Sequence, residues 1–311
     1  MLDCGVHLTE RSYRSDQYVL SKAVAPTNCT FDIPKSYNLI NETQHMTERE
    51  PPTATRQIKS IQTASDILRE IQSQSEVTLA DLCDDVDVAK STLHTYLQTL
   101  VAEGFIDKSD GVYRLGLRFV PLGESVRNRV DLYQIGKEEV ERLAEETSEW
   151  VHLTVAYRNR EVTLYEHNGG ETVAMDYQRR TRESPQYLHC TATGKALLAH
   201  FDEAQVTDIL ASEELVQQTE KTITDPDELR ERLAEIRRKG YAINDEEEIR
   251  GMRSVGAPIQ DVDGAVCGAI SVTAPKMRLS GEYLNSDLPE LVMEAANIIE
   301  VNLESAAARS K

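Results

Sequence analysis

Residues 79–117 leave few folds open to this chain. They carry two short helical patterns joined by a tight turn, then two β-like runs around Asp110-Gly111. Thr78 stands where a helix cap is needed, and Leu79, Leu82 and Val86 follow at the spacing of one inward face. Asp87 is the expected cap of the second helix, which runs to about Glu103. Its apolar positions are Val88, Leu93, Tyr96, Leu97, Leu100 and Val101. Gly104 can take the positive φ that ends a helix. Residues 105–106 and 112–115 read as a hairpin turned by Asp110-Gly111. Upstream, residues 58–71 place Ile61, Ala64, Ile67, Leu68 and Ile71 at helical spacing. Helix, helix-turn-helix and hairpin in this order predict a winged helix-turn-helix.

The other face of the second helix carries the chemistry. Lys90, Ser91, His94, Thr95 and Gln98 form one polar stripe, with Thr92 beside it. Such side chains reach phosphates and base edges when a helix lies in the major groove. Arg114 sits on the expected wing. A polar stripe alone reads more plainly as a solvated face; the ordered elements around it favour double-stranded DNA. Charge works against that reading. Residues 56–118 hold seven Lys or Arg and ten Asp or Glu, a net −3. Counterion release, the usual source of DNA affinity, is therefore small or confined to Lys90, Arg114 and Arg118. The whole chain carries −19, and arginine outnumbers lysine 23 to 11. Acid excess with few lysines suits a protein hydrated in concentrated salt, so a halophilic source, a haloarchaeon, is expected.

At 311 residues the chain has room for two domains. Residues 1–55 lack periodicity and include Pro26, Pro34, Pro51 and Pro52. They read as a disordered or mis-assigned N-terminal extension, with Met46 as an alternative start. Cysteines 4, 29, 83, 190 and 267 form no CxxC or CxH spacing and are expected to be free thiols of a cytoplasmic protein. No membrane-spanning run or secretory leader is seen. Residues 116–129 are expected to form a linker helix interrupted by Pro121, and residues 132–147 a better one. The period then changes. Val151, Leu153, Val155 and Tyr157 alternate with polar residues as in a half-buried strand, and further strands are expected at 162–166 and 173–177.

Residues 185–200, PQYLHCTATGKALLAH, run from a small-residue loop into a short helix beginning at Lys195. Backbone N–H groups at such a helix start can hold an anion or carboxylate; a tight packing turn is the plainer reading. No GxxxxGK[ST] occurs, so no nucleotide is expected. Helices follow at 202–210 and after Asp225-Pro226, the second closed by Gly240. Residues 244–248, NDEEE, read as a solvated loop or as carboxylates for a cation. Residues 254–259 and 265–274 form a hairpin around Asp263-Gly264, and 282–308 a terminal helix. The sum is an α+β module with five or six antiparallel strands. His152, His189 and Cys190 are expected to be structural, and no catalytic or metal-binding constellation is present.

VAKSTLHTYLQTLVAEGFI followed by GVYRLG resembles the recognition helix and wing of the IclR family of transcriptional regulators. LHCTATGKALLA, GYAINDEEEIRGMRSVGAPI and DGAVCGAISVTAP resemble that family's GAF-like effector-binding domain, so the likeness runs from residue 58 to about 303. The resemblance implies a winged helix-turn-helix over 56–118, joined by a linker helix to an effector domain over 119–308. It implies a homodimer or dimer of dimers on an inverted-repeat operator, no cofactor, and control by a small carboxylic acid or sugar-derived polyol. The positions matching the family's ligand contacts are Ala192, Thr193, Asn244, Ser254, Ser271 and Thr273. Ser271 and Thr273 are two apart on one strand and share a face, which is either the pocket or solvent. Two other readings remain: a small-metabolite enzyme with an appended DNA-binding domain, and a redox or metal sensor using its cysteines.

Overall fold

A computed structural model of the chain describes residues 57–170 and 186–309. The expected N-terminal extension and the strand at 173–177 lie outside these residues. The first helix, α1 (Lys59–Gln74), buries Thr63, Ile67 and Ile71. Ile61 is 65% exposed, contrary to the periodicity reading. It sits two residues before Thr63, roughly 200° around the helix from the buried seam. After β1 (Val77–Thr78), helix α2 (Leu79–Asp85) opens on a capping box: Thr78 accepts from the Asp81 N–H, and the Asp81 carboxylate accepts from the Thr78 N–H at 2.8 Å.

The next helix, α3, spans Lys90–Ala102, with Ala89 and not Asp87 in the cap position. The preceding residues are held in the turn instead, where the Val86 N–H reaches Leu82 O and the Val88 N–H reaches Val86 O. Leu93, Leu97 and Leu100 face the core, whereas Val101 is 37% exposed. Gly104 has φ of 72°. The hairpin β2 (Ile106–Ser109) and β3 (Val112–Leu115) turns at Asp110 (φ 52°) and Gly111 (φ 82°), two positive-φ residues in the turn type that matches strand twist. β1 adds to β3, giving the order β1-β3-β2. Ile67, Ile71, Leu82, Leu93, Leu97 and Ile106 form the core of this winged helix.

Helix α4 (Phe119–Arg127) contains Pro121 without interruption. The proline lies in the first turn, where its missing N–H has no helical partner to lose. Its apolar residues Val120, Leu122 and Val126 are exposed, as is Leu117 just before it. Helix α5 (Asp131–Thr147) buries Leu132, Val140 and Leu143.

Six antiparallel strands then form one sheet in the order β6-β5-β4-β9-β8-β7. They are β4 (Trp150–Tyr157), β5 (Arg160–Asn168), β6 (Gln186–Tyr187), β7 (Ala242–Asp245), β8 (Met252–Gln260) and β9 (Val266–Pro275). Between β6 and β7 come α6 (Ala192–His200), α7 (Glu203–Ser212) and α8 (Pro226–Lys239). Asp225 caps α8 through the Asp227 and Glu228 N–H groups, Pro226 occupies its first position, and Gly240 closes it at φ 82°. A π-turn (Tyr283–Asp287) precedes the terminal helix α9 (Leu288–Arg309), so the segment expected as one α-helix starts with a wider turn.

One face of the sheet packs Val151, Leu153, Val155, Val255, Ile270 and Val272 against α5 and α9. The other faces α6, on which α8 packs. The β4 strand is therefore covered on both sides, not half-buried: His152 is 5% exposed and Thr154 0%. Central strands between two helical layers have no solvent face to spend on polar residues, so the polar residues here have another use.

Candidate functional site

The α3 stripe is exposed at Lys90, Ser91, Thr92, His94, Thr95 and Gln98. No side chain caps this helix, so its first N–H groups are open to an anion. On the flank, a groove of about 530 Å³ is lined by Ser60, Ser91, Thr92, Thr95, Tyr96 and Thr99. The Thr95 hydroxyl donates to Ser91 O at 3.1 Å and Thr99 to Thr95 O at 2.9 Å. Their oxygens keep lone pairs that can accept from base amino groups.

The cations of the wing are engaged elsewhere. Arg114 Nε donates to Glu76 Oε1 at 2.7 Å, and this bond holds the Glu76 carboxyl below its ordinary range. Arg118 lies 3.6 Å from the Glu103 carboxylate and 4.7 Å over the Phe105 ring. Lys108 Nζ sits 5.0 Å over the Tyr113 ring. The expected basic cluster of Lys90, Arg114 and Arg118 is thus largely spent inside the module; Lys59 and Lys90 enter none of the described ion pairs.

The second candidate site lies between α6 and the sheet. Strand register builds it. Gly256 pairs with Ser271, Ser271 with His152, and His152 with Glu166. In the next row Asn244 pairs with Ser254, and Ser254 with Thr273. Gly256 is needed for the approach of α6: a Cβ there would lie 2.9 Å from Ala192 C and 3.0 Å from Thr193 N. A cavity of about 20 Å³ results, lined among others by Ala192, Thr193, Ser254, Ser271 and Thr273. Five of the six expected ligand positions thereby come together. Ser271 and Thr273 are 3% and 2% exposed, which rules out a solvent-face role.

Asn244 does not line that cavity. It is buried, and its Oδ1 accepts from the Glu247 N–H at 2.8 Å, shaping the acidic loop. The helix start is also corrected. α6 begins at Ala192, capped by the Thr191 hydroxyl accepting from the Gly194 N–H at 2.9 Å. Ala192 and Thr193 are its first two residues and not part of a preceding loop.

The sequence reading missed the carboxylates and the histidine in the wall. Glu161, Thr163 and Glu248 line the cavity with His152. Thr273 Oγ1 donates to Ser254 Oγ at 3.0 Å and lies 3.5 Å from His152 Nδ1, whose Nε2 is 3.9 Å from Glu166 Oε2. Glu161 is held by the hydroxyls of Thr191 and Thr193. Burial pushes its carboxyl up, opposed by these hydroxyls and the Gly194 N–H. A period-2 reading that assigned polar residues to solvent concealed this group; the sheet's cover on both faces was the missing fact.

The NDEEE run is not a solvated loop. Glu246 and Glu247 are 9% and 8% exposed. Asp245 pairs with Arg253 and Lys221. Glu246 is held to about 2 by Lys221, the Gly251 N–H and Lys276. Glu247 pairs with Lys195, a side chain of zero exposure whose Nζ also donates to Ile243 O at 2.7 Å. The cations that balance this run are the protein's own. Burial raises the Cys190 thiol well above its ordinary value and the Cys267 thiol to about 12, which disfavours the thiolate at these two positions. Among the described residues, no helix is long and apolar enough to cross a membrane.

Comparison with known proteins finds matches to both parts of the chain. The IclR helix-turn-helix domain matches residues 60–110, and the bacterial transcriptional regulator IclR C-terminal domain matches residues 124–301. A probable HTH-type transcriptional regulator ArcR of Halobacterium salinarum is 44% identical over 81% of this chain and 96% of its own length. The HTH-type regulator BhcR of Paracoccus denitrificans is 33% identical over 77% of the chain and 85% of its own. Among solved structures, an IclR homologue from Microbacterium hydrocarbonoxydans complexed with 4-hydroxybenzoate superposes with a TM-score of 0.64. It is 25% identical, over 78% of this chain and 98% of its own.

Proposed function

Because this chain belongs to the IclR family of transcriptional regulators, we propose that α3 reads an operator and that the cavity beneath α6, which at about 20 Å³ holds about one water, widens to receive the metabolite controlling it. The chain is a DNA-binding regulator with an effector-binding domain; the residue roles are the proposal. One observation carries it. Five of the six residues the family resemblance selects, scattered from 192 to 273, converge on one buried polar cavity beside a sheet face packed with apolar side chains. An enzyme with an appended DNA-binding domain draws no support from the two relatives above, both named as regulators.

Lys90, Ser91 and Thr92 at the open start of α3 fit phosphates; His94, Thr95 and Gln98, further along, fit base edges. The exposed apolar residues of α4, with Ile58 at the cap of α1 and Ile61 in its first turn, support a homodimer, and a twofold dimer reads an inverted repeat. The acidic composition supports a source in concentrated salt.

Salt dependence tests the reading. Each phosphate neutralised by a cation contributes about −0.9 to the slope of log K against log salt. With Lys59, Lys90 and Lys108 as the described cations of the module outside ion pairs, the slope expected is no steeper than about −3 per module. Operator sites found by genome-wide binding provide the duplex, and anisotropy at several salt concentrations gives the slope. A slope near −5 per module would show that phosphate neutralisation, not the polar stripe, supplies the affinity.

A further inference from the structure

Thr154 carries a hydroxyl that the fold does not use. It stands within β4 at 0% exposure, and its Oγ1 makes no hydrogen bond to the described residues. A buried hydroxyl left unpaired is costly, and valine would fill the same shape without that cost. Its place on the sheet joins it to the cavity. His152, two residues before it on β4, lines the cavity and shares its face. Towards β5 the pairing runs His152 with Glu166, Leu153 with Tyr165, and then Thr154 with Thr163. Leu164 is passed over, which makes a β-bulge.

In a regular ladder Leu164 would oppose Thr154, and Thr163 would oppose Val155 on the face that packs against α5 and α9. The bulge turns Thr163, with Glu161 two residues away, to the α6 face, where both line the cavity. On its other flank Thr154 pairs with Ala269, which belongs to the apolar cluster of Ala196 and Leu197 and offers no side-chain acceptor. A distortion that builds the cavity wall thus ends at a buried hydroxyl that the fold leaves unpaired. Ser271 pairs with His152, so Thr154 lies one row beyond it, about 7 Å along the strands. A molecule anchored on Ser271 that also reaches Thr154 needs a skeleton roughly as long as a five-carbon chain.

Resting on the reading of this cavity as the effector pocket, we propose that Thr154 is a further specificity-determining residue of it. The widened pocket extends along β4 to Thr154, and the far end of the ligand supplies the hydrogen-bond partner that its hydroxyl lacks. A hydroxyl donates and accepts, so that end is an alcohol or an acid. The pocket thereby selects by length: a skeleton of about five carbons with a hydrogen-bonding group at each end is preferred to shorter homologues.

The test uses the full chain and probes matched in end group but unequal in length: glycerol with xylitol, and glycerate with xylonate. Calorimetry on the parent should show at least one longer member bound about tenfold tighter than its shorter partner. Thr154→Val keeps the shape and removes the hydroxyl, so that ratio should fall at least about fivefold. Thr154→Ser keeps the hydroxyl and should hold the ratio within about twofold. Without ligand, Thr154→Val should melt no lower than the parent. A shorter member preferred, no member bound, a ratio unmoved by Thr154→Val or lost in Thr154→Ser overturns the proposal. So does a lower melting temperature of ligand-free Thr154→Val, which would show the hydroxyl to be bonded already. Ser271→Ala separates this from the pocket reading. If it weakens xylitol or xylonate while Thr154→Val leaves the ratio alone, the pocket stands and its extension to Thr154 fails. If Thr154→Val lowers the ratio while Ser271→Ala leaves every affinity intact, the hydroxyl wall is misassigned and the Thr154 contact stands.

Discussion

Glu247→Ala is expected to lower the stability of the folded chain by about 3–5 kcal/mol, the usual cost of orphaning one member of a buried ion pair. Lys195 has no exposed side-chain surface, and its ammonium is held by the Glu247 carboxylate and the Ile243 carbonyl. Burial already pulls Lys195 below the ordinary lysine value, and Glu247 is the main group opposing that shift. With the carboxylate gone, the lysine must lose its proton, admit water or drag α6 off the sheet. Replacing both partners by apolar residues, Lys195→Met with Glu247→Leu, removes the charges together and should recover most of the loss. Denaturant unfolding of the three proteins reads both effects. A single variant within 1 kcal/mol of the parent would mean that the pair is solvated in solution and does not anchor α6.

The second large effect is on DNA. His94, Thr95 and Gln98 stand exposed in the middle of α3, within about one turn of helix. Each good base contact is worth about 1–3 kcal/mol of discrimination. Specific and non-specific binding typically differ by about 4–10 kcal/mol, so alanine at all three positions should bring operator affinity down to that for unrelated duplex. The three sites bury no side chain in the winged-helix core, and folding should be untouched. Competition footprinting with operator and scrambled duplex separates loss of reading from loss of binding. Because Arg114 is tied to Glu76, Arg114→Ala should change discrimination far less.

Much of this was legible in residue order. Thr78, Gly104, Asp110-Gly111, Asp225-Pro226 and Gly240 each stand where the backbone requires their particular geometry, and each does so in the structure. Asp87 failed because a capping residue is common in turns that end before the helix begins. Pro121 failed because a proline inside a helical pattern breaks it only beyond the first turn. The pocket was half legible. Ala192, Thr193, Ser254, Ser271 and Thr273 were reached through family resemblance, since spacing cannot say that strands distant in sequence lie side by side. Glu161 and His152 were hidden for the same reason: which face of a strand is covered depends on helices elsewhere in the chain. The acidic run misled because charge suggests water, while Lys195, Lys221, Arg253 and Lys276 lie far from it in sequence and meet it only after folding.

The central claim joins the two ends of the molecule: occupation of the cavity beneath α6 changes how α3 holds its operator. A ligand can do this only by binding two states of the protein unequally. Operator affinity should be titrated against the small metabolites handled by the gene products encoded beside the bound sites, in the parent and in Ser271→Ala. The account predicts at least a fivefold change in operator affinity for one of them in the parent, within the usual allosteric range. In Ser271→Ala the ligand midpoint should move up about tenfold, the loss of one buried hydrogen bond, with ligand-free operator affinity unchanged. The same midpoint in both proteins, or a ligand-free affinity that falls with Ser271, would contradict it.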